Sequence, residues 1–267
     1  MKAKNALSAI VLAAGKGTRM KSDLAKVLHP VCGRPMLHYS LAVARSVGAR
    51  KIVCVIGHQA DDIRRRFDDP GLIFVEQREQ LGTGHAVLQA REAFAGDDGG
   101  TVLILCGDVP LLRRETVEAL LARHAAAGAA VTVMTTLLAD PGHYGRVVTD
   151  AAGRVVKIVE ARDATPAERE IREINTGIYC VEAGFLFEAV AGIGNNNAQG
   201  EYYLTDIVEM AHRRGLAVRS YVAANSEEVM GINTPAELAR ACRLMEAGAG
   251  ATPVARSPEG AGKACTE

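Results

Sequence analysis

The chain alternates between short unbroken apolar runs and longer stretches in which apolar residues recur at helical spacing. Residues 8–12 form a run of apolar and β-branched residues without a helical period, which predicts a buried parallel strand. Over 35–47, Leu37, Leu41, Ala44 and Val47 recur at near-helical spacing and Gly48 supplies a stop, so a helix is expected there. Further strands are expected over 51–56, 72–75, 101–106 and 130–137, with helices over 61–67, 86–94 and 115–127 between them. Strands alternating with helices imply right-handed crossovers and a largely parallel sheet, with ligands at the carboxyl ends of the strands.

From about residue 141 the pattern shifts. Residues 145–150 and 154–159 alternate in β fashion around a turn with Gly153, which predicts a hairpin covering the sheet's rim. Residues 195–211 read as a polar loop leading into an amphipathic helix. Thr234-Pro235-Ala236-Glu237 is a capping box with proline at the first helical position, opening a helix over 234–247. Residues 248–267, rich in Gly, Ala and Pro without periodicity, are expected to be a disordered tail.

Composition narrows the function. At 267 residues and 48% hydrophobic content the chain has ample material for a core. Its 31 basic and 31 acidic residues cancel, which argues against a nucleic-acid or membrane-surface binder, since those need a field of one sign. Six cysteines and seven histidines show no metal-like spacing, and Cys54, Cys106 and Cys180 lie in apolar runs as small core residues of a reducing compartment. Lys2 and Lys4 ahead of residues 6–14 imitate a secretory leader, but cleavage there would remove the first strand. No apolar run approaches a membrane span, so a cytoplasmic location is expected.

The chemistry concentrates after that first strand. Ala13, Ala14, Gly15 and Gly17 let the backbone turn and bring bare N–H groups against a ligand, and Lys16, Arg19 and Lys26 place cations around the loop. This suits a polyphosphate. A Walker loop is excluded because Lys16 is followed by Gly17, and the dinucleotide fingerprint fails at Met20. By themselves the glycines fit a tight strand-to-helix turn equally well. Together, LAAGKGTRM (residues 12–20) and Lys26 in AKVLHP resemble the signature of the sugar-phosphate nucleotidylyltransferases, in which this loop wraps the nucleotide's triphosphate.

Later segments extend the resemblance in the same order. Gly82, Thr83 and Gly84 open a helix and alone would be an ordinary N-cap. With Gln77 upstream they resemble the uracil-binding part of uridylyltransferases, where an amide can both donate and accept. Asp108, after the strand over 101–106, could cap a helix or bind magnesium shared with phosphates, and GDVPL favours the second. Asn233, held before the capping box, could complete that metal site. Gly145, Glu160, Asn175 and Asn233 stand where the family holds the sugar. NNNAQGEYYLTDIVEMA (residues 195–211) is most similar to the N-acetylglucosamine-1-phosphate uridylyltransferases.

The resemblance covers about residues 6–247. It implies a Rossmann-like nucleotidyltransferase fold over 1–247, a mixed, largely parallel sheet flanked by helices with a β-rich insertion for the sugar. Residues 1–140 would hold the nucleotide, including Leu12 through its backbone, 141–233 the sugar, and 234–247 would form a C-terminal helix. The implied reaction joins UTP and N-acetylglucosamine 1-phosphate into UDP-N-acetylglucosamine and pyrophosphate. Arg19 would bind the β and γ phosphates, Lys26 the α-phosphate and the sugar phosphate, and Asp108 with Asn233 a Mg2+ ion. No general base is required, because the attacking phosphate is already ionised. The rival readings are a glucose 1-phosphate nucleotidylyltransferase using UTP or dTTP, and a catalytically silent nucleotide-sugar sensor. Arg19, Lys26, Asp108 and Asn233 together speak against silence. In fused family members an acetyltransferase of hexapeptide repeats makes the trimer. No such repeat occurs here, so the chain is expected to take a ready-made sugar phosphate, not to acetylate glucosamine 1-phosphate, and to be a monomer or weak oligomer.

Overall fold

In a computed structural model, which describes residues 6–96 and 99–247, the first apolar run is strand β1 (Leu7–Ala13). Single 3-10 turns at Thr18–Met20 and Lys26–Leu28 lead to two short paired strands, β2 (Pro30–Val31) and β3 (Arg34–Pro35), and to helix α1 (Met36–Ser46). There follow β4 (Lys51–Ile56), α2 (Ala60–Arg66), β5 (Leu72–Glu76), α3 (Thr83–Gln89), β6 (Thr101–Cys106), α4 (Arg114–Ala127) and β7 (Val131–Leu137). Helix α3 departs from the expected 86–94. It begins at Thr83 and gives way to a 3-10 turn over Arg91–Phe94, where the amides of Ala90 and Ala93 bond three residues back.

The expected hairpin is β8 (Arg146–Thr149) with β9 (Val155–Val159). After it come α5 (Pro166–Arg169), β10 (Glu173–Glu182), α6 (Ala183–Ala191), α7 (Asp206–Arg213), β11 (Val218–Val222), α8 (Ser226–Val229) and α9 (Pro235–Glu246). Helix α9 carries the expected capping box, with the Thr234 hydroxyl and the Glu237 carboxylate bonded reciprocally. The expected tail, 248–267, and the basic positions Lys2 and Lys4 lie outside the described residues.

The main sheet has the strand order β11-β7-β10-β6-β1-β4-β5, with the β8-β9 hairpin attached to β10 where Ile174 pairs with Arg146. Strand β10 is antiparallel to both neighbours, and the other strands of that path all run one way. The sheet is therefore mixed and largely parallel. Leu12 on β1 pairs with Cys106 on β6, and Ala13 with Ile56 on β4, so three central strands end at the same rim and deliver their loops to one place.

Both faces of the sheet are covered, as a sheet built from apolar runs requires. Ile10, Val53, Ile104 and Tyr179 pack with residues of α3, α6 and α7 on one side, whereas Val11, Cys54, Leu103 and Cys180 pack with α1, α2 and α4 on the other. A smaller cluster seats α9, through Ala241 and Met245, on Val31, Met36 and Leu111. Cys54 and Cys180 are buried as expected, and burial pushes the Cys54 thiol up to about 12.

Leu103 on β6 is fully buried at the centre of the second face. Leu103→Ala removes packing that neighbouring strands cannot close, so a loss of about 2–5 kcal/mol of stability is expected in urea unfolding. A loss below half of the lower bound would mean that this face is loosely packed.

Candidate active site

The loop after β1 is shaped by a contact that only glycine permits. Gly17 has φ 64°, and a Cβ there would lie 2.4 Å from the Cβ of Lys26, so the lysine stem passes directly over the glycine. Gln59 steadies the same segment, accepting from the Ala25 amide at 2.6 Å and donating to the Asp23 carbonyl at 2.7 Å. Held in this way, the Lys26 ammonium reaches across to β6. It forms an ion pair with Asp108 and donates to Asn233 Oδ1 at 3.0 Å.

Arg19 converges on the same oxygen, with Nη2 2.9 Å from Asn233 Oδ1, while its Nη1 lies 3.3 Å from His143 Nε2. Asn233 can serve two cations because its own position is fixed from behind. Its side-chain nitrogen donates to the Gly231 carbonyl at 3.0 Å, and its backbone N–H donates to Glu237 at 2.6 Å. The Glu237 carboxylate thus caps α9 and aims the amide oxygen at Lys26 and Arg19. The Ile232 amide, bonded to the Asp108 carbonyl at 2.9 Å, ties this segment to the end of β6.

A cleft of about 270 Å³ opens beside this cluster. Leu12, Ala13, Ala14, Gly15, Lys26 and Asp108 line it, together with Gln77, Gly82 and Thr83. Gly17 lies under Lys26 and does not line it. Gln77 is 3% exposed and its Nε2 is committed internally, to the Gly82 carbonyl at 2.9 Å and to His85 Nδ1 at 3.1 Å. Gly82, at φ 106°, approaches Tyr202 so closely that a Cβ would come within 2.7 Å of its carbonyl oxygen. Thr83 does not cap α3. Its hydroxyl instead accepts from the Leu204 amide at 3.1 Å, which straps residues 201–204 across the cleft and brings Glu201 into its lining.

The remaining candidates meet under the hairpin. The Asn175 amide donates to the Gly145 carbonyl at 2.9 Å, and a Cβ on Gly145 would sit 3.5 Å from the Glu160 carboxylate. Asn175 begins a register shift in β10 against β7 that ends at Tyr179, and its Oδ1 accepts from the Gly177 amide at 3.0 Å. The structure thus joins Gly145, Glu160 and Asn175 in one cluster and places Asn233 in the other, with Arg19, Lys26 and Asp108.

Several contributors were not singled out from the sequence. Thr205 donates to Glu160 at 3.1 Å, and His143 pairs with Arg19. Arg146, only 4% exposed, spends its guanidinium on the carbonyls of Gly142, Tyr144 and Arg169 and so pins the turn before β8. An arginine inside a β-alternating run at 145–150 was the available clue for the last of these.

Residues 9–173 match the MobA-like NTP transferase domain. The chain belongs to the MobA-like NTP transferase family. It is also similar to proteins named bifunctional protein GlmU. It is 55% identical to that of Pelobacter propionicus over 240 residues, 90% of this chain and 52% of the relative. It is 56% identical to that of Geobacter metallireducens over 239 residues, 89% of this chain and 50% of the relative, and 51% identical to that of Desulfotalea psychrophila over 241 residues, 90% and 71%. The chain spans about half the length of the Pelobacter and Geobacter relatives. Among the described residues no helix is long and apolar enough to cross a membrane.

The electrostatics of this NTP transferase divide its two clusters. Burial and then the Arg19 charge lower the His143 pKa, which favours the neutral ring. Under the hairpin burial acts on carboxyl groups and shifts them the other way. Burial raises Glu160, and burial together with Glu209 and Asp163 raises Asp206, in the first turn of α7, to about 6.

Two outcomes follow. Gly17→Ala places a methyl against Lys26 at a left-handed backbone position, so turnover should fall by roughly tenfold or more while the fold persists, since about 1.4 kcal/mol of barrier at a misplaced cation is enough. Unchanged turnover would show that Lys26 is not held by this contact. For Asp206 the folded protein binds the proton more tightly than the unfolded chain, because its pKa rises from 3.8 to about 6. Stability from this group is complete only below the lower value and declines as pH climbs to the upper one. Asp206→Asn should therefore raise the thermal midpoint at neutral pH relative to the wild type and lose that advantage near pH 4; an equal shift at both pH values would contradict the raised pKa.

Proposed function

We propose that the chain transfers UMP from UTP to N-acetylglucosamine 1-phosphate and releases pyrophosphate. The observation that supports this most directly is the meeting of Lys26, Arg19, Asp108 and Asn233 at the shared carboxyl rim of β1 and β6. Phosphoryl chemistry asks for little else: cations fixed where charge develops, and an in-line path. An oxygen of the sugar phosphate attacks the α-phosphorus of UTP. The bond to the bridging oxygen breaks, and its electrons leave with pyrophosphate.

In this reading Lys26, held over Gly17 of the glycine loop, binds the α-phosphate and the incoming sugar phosphate, and Arg19 binds the β and γ phosphates that depart as pyrophosphate. The similarity to proteins named bifunctional protein GlmU supports a sugar phosphate as the second substrate. Glu160, Asn175 and the backbone of Gly145 supply mixed donors and acceptors in one place, as an acetamido sugar requires.

Asp108 and Asn233 direct two hard oxygens at one point, which Lys26 now shares. Among the described residues there is no group of three His, Cys, Asp or Glu side chains able to hold a metal. That donor set fits magnesium, which takes one or two protein oxygens and completes its shell with water and phosphate. When bound, the ion would supply charge neutralisation to the phosphates. Lys26 would then direct its ammonium to the substrate, while Glu237 keeps Asn233 in place.

Pyrophosphate release across a panel of nucleotides and sugar phosphates tests the reading. UTP with N-acetylglucosamine 1-phosphate should be the fastest pair, and preference for glucose 1-phosphate or dTTP would replace it. Lys26→Ala should lower kcat on the order of a hundredfold, the cost of losing one contact to developing charge. An effect confined to KM for UTP would show that the lysine binds ground and transition states alike. Because the change strips Asp108 of its partner, the thermal midpoint is measured in parallel, and a variant unfolded at assay temperature is replaced by Lys26→Arg.

A further inference from the structure

At the β2-β3 turn Cys32 reaches Cys242 on α9, and no step above uses either residue. Cys32 is exposed and stands at φ 46°, a left-handed position that L side chains rarely adopt, so the turn geometry does not call for cysteine there. Its thiol donates to the Cys242 carbonyl, with Sγ 3.8 Å from the oxygen, although 210 residues separate the two. Cys242 is itself partly exposed on α9. The other cysteines among the described residues differ: burial pushes Cys54 and Cys106 up to about 12 and raises Cys180 further.

Cys32 also lines a pocket of about 560 Å³ whose charged side chains are all basic or imidazole: Arg34, His38 and Arg66. Arg34 lies 3.3 Å from His38 Nε2, and neither Arg34 nor Arg66 has an acidic partner among the described residues. Nearby Arg45, by contrast, is neutralised by Asp69 at 2.5 Å. A thiol at the edge of an uncompensated cationic pocket is suited to a small disulfide that carries carboxylates.

We propose that Cys32 and Cys242 are a reversible dithiol pair, oxidised by exchange with a small anionic disulfide of the glutathione type bound in the Arg34-Arg66 pocket. The Cys32 thiolate attacks one sulfur of that disulfide, forming a mixed disulfide and expelling one glutathione thiolate. Cys242, as thiolate, then attacks the Cys32 sulfur and expels the second. The protein loses two electrons and the protons of two thiols, and one glutathione disulfide becomes two glutathiones. Burial, Cys242 and Glu246 hold the Cys32 thiol above its usual range, which lowers its thiolate fraction and slows its exchange with every disulfide, so preference for one disulfide over another has to come from the pocket. The bond would tie the later turns of α9 to the β2-β3 turn, while the first turn of the same helix follows Asn233.

The test uses the intact chain with glutathione disulfide, followed by alkylation, digestion and mass spectrometry. The expected product is a peptide pair joined through Cys32 and Cys242, released again by excess glutathione. Cys242→Ser should stop at glutathione on Cys32. Arg34→Glu with Arg66→Glu should slow reaction with glutathione disulfide about tenfold or more while changing reaction with neutral 2-hydroxyethyl disulfide less than about twofold. Glutathione retained on Cys32 in the wild type, or absence of the joined peptide, would overturn the pair. Equal slowing with both disulfides would overturn the pocket's role. None of these readouts depends on nucleotidyl transfer, so they stand apart from the proposed function.

Discussion

Two cations from the loop after the first strand are brought onto one amide oxygen more than two hundred residues away, and the rest of the site is arranged around that convergence. Lys26 and Arg19 would repel each other in an open loop. They are held together because Asn233 accepts from both and Asp108 compensates Lys26 from the end of β6. Each partner is fixed by something rigid: Asp108 by a central strand, Asn233 by the capped start of α9, and Lys26 by its passage over Gly17. The arrangement positions charge before any ligand arrives, which is what makes it useful for phosphate chemistry.

The second constraint is β10. A strand inserted antiparallel between β6 and β7 carries the later part of the chain into the middle of the sheet, so the hairpin is anchored to a central strand through the Ile174–Arg146 pair. The register shift between Asn175 and Tyr179 breaks the ladder beside Cys106, where a Cβ on Gly177 would lie 2.8 Å from the sulfur. An irregular strand at that depth costs regular pairing. Asn175, the last residue in register with β7 before the shift, donates its amide to Gly145, whose Cβ position lies beside Glu160.

Much of this was legible in the chain before its structure. The unbroken apolar runs gave the strands because a parallel sheet covered on both faces has no polar side to confuse the pattern. Gly17, Lys26, Asp108 and Asn233 could be singled out because glycine loops, strand-end carboxylates and capping boxes have local signatures. Strand β10 was less visible: EINTGIYCVE mixes polar and apolar positions and changes register midway, so no single period describes it. His143, Thr205 and Arg146 escaped for a different reason. The meaning of His143 and Thr205 lies in a partner distant in sequence, which leaves no mark on the neighbouring residues, and the backbone carbonyls that Arg146 serves show only as a charge inside a β-alternating run.

Gln77 shows how structure sharpens a residue that sequence could place. An amide can read a pyrimidine edge through both its oxygen and its nitrogen. In the folded protein the nitrogen is turned inward, to the Gly82 carbonyl and His85, so the group available to a ligand in the cleft is the oxygen. An oxygen accepts only. Under the proposed reaction it suits the ring N–H of uracil and opposes the unprotonated ring nitrogen of cytosine, which would meet it lone pair to lone pair. Discrimination of this kind is strong because the wrong base leaves a nearly buried acceptor unpaired. It also depends on Gly82, whose carbonyl holds the amide in that orientation and whose missing side chain lets residues 201–204 close over the cleft.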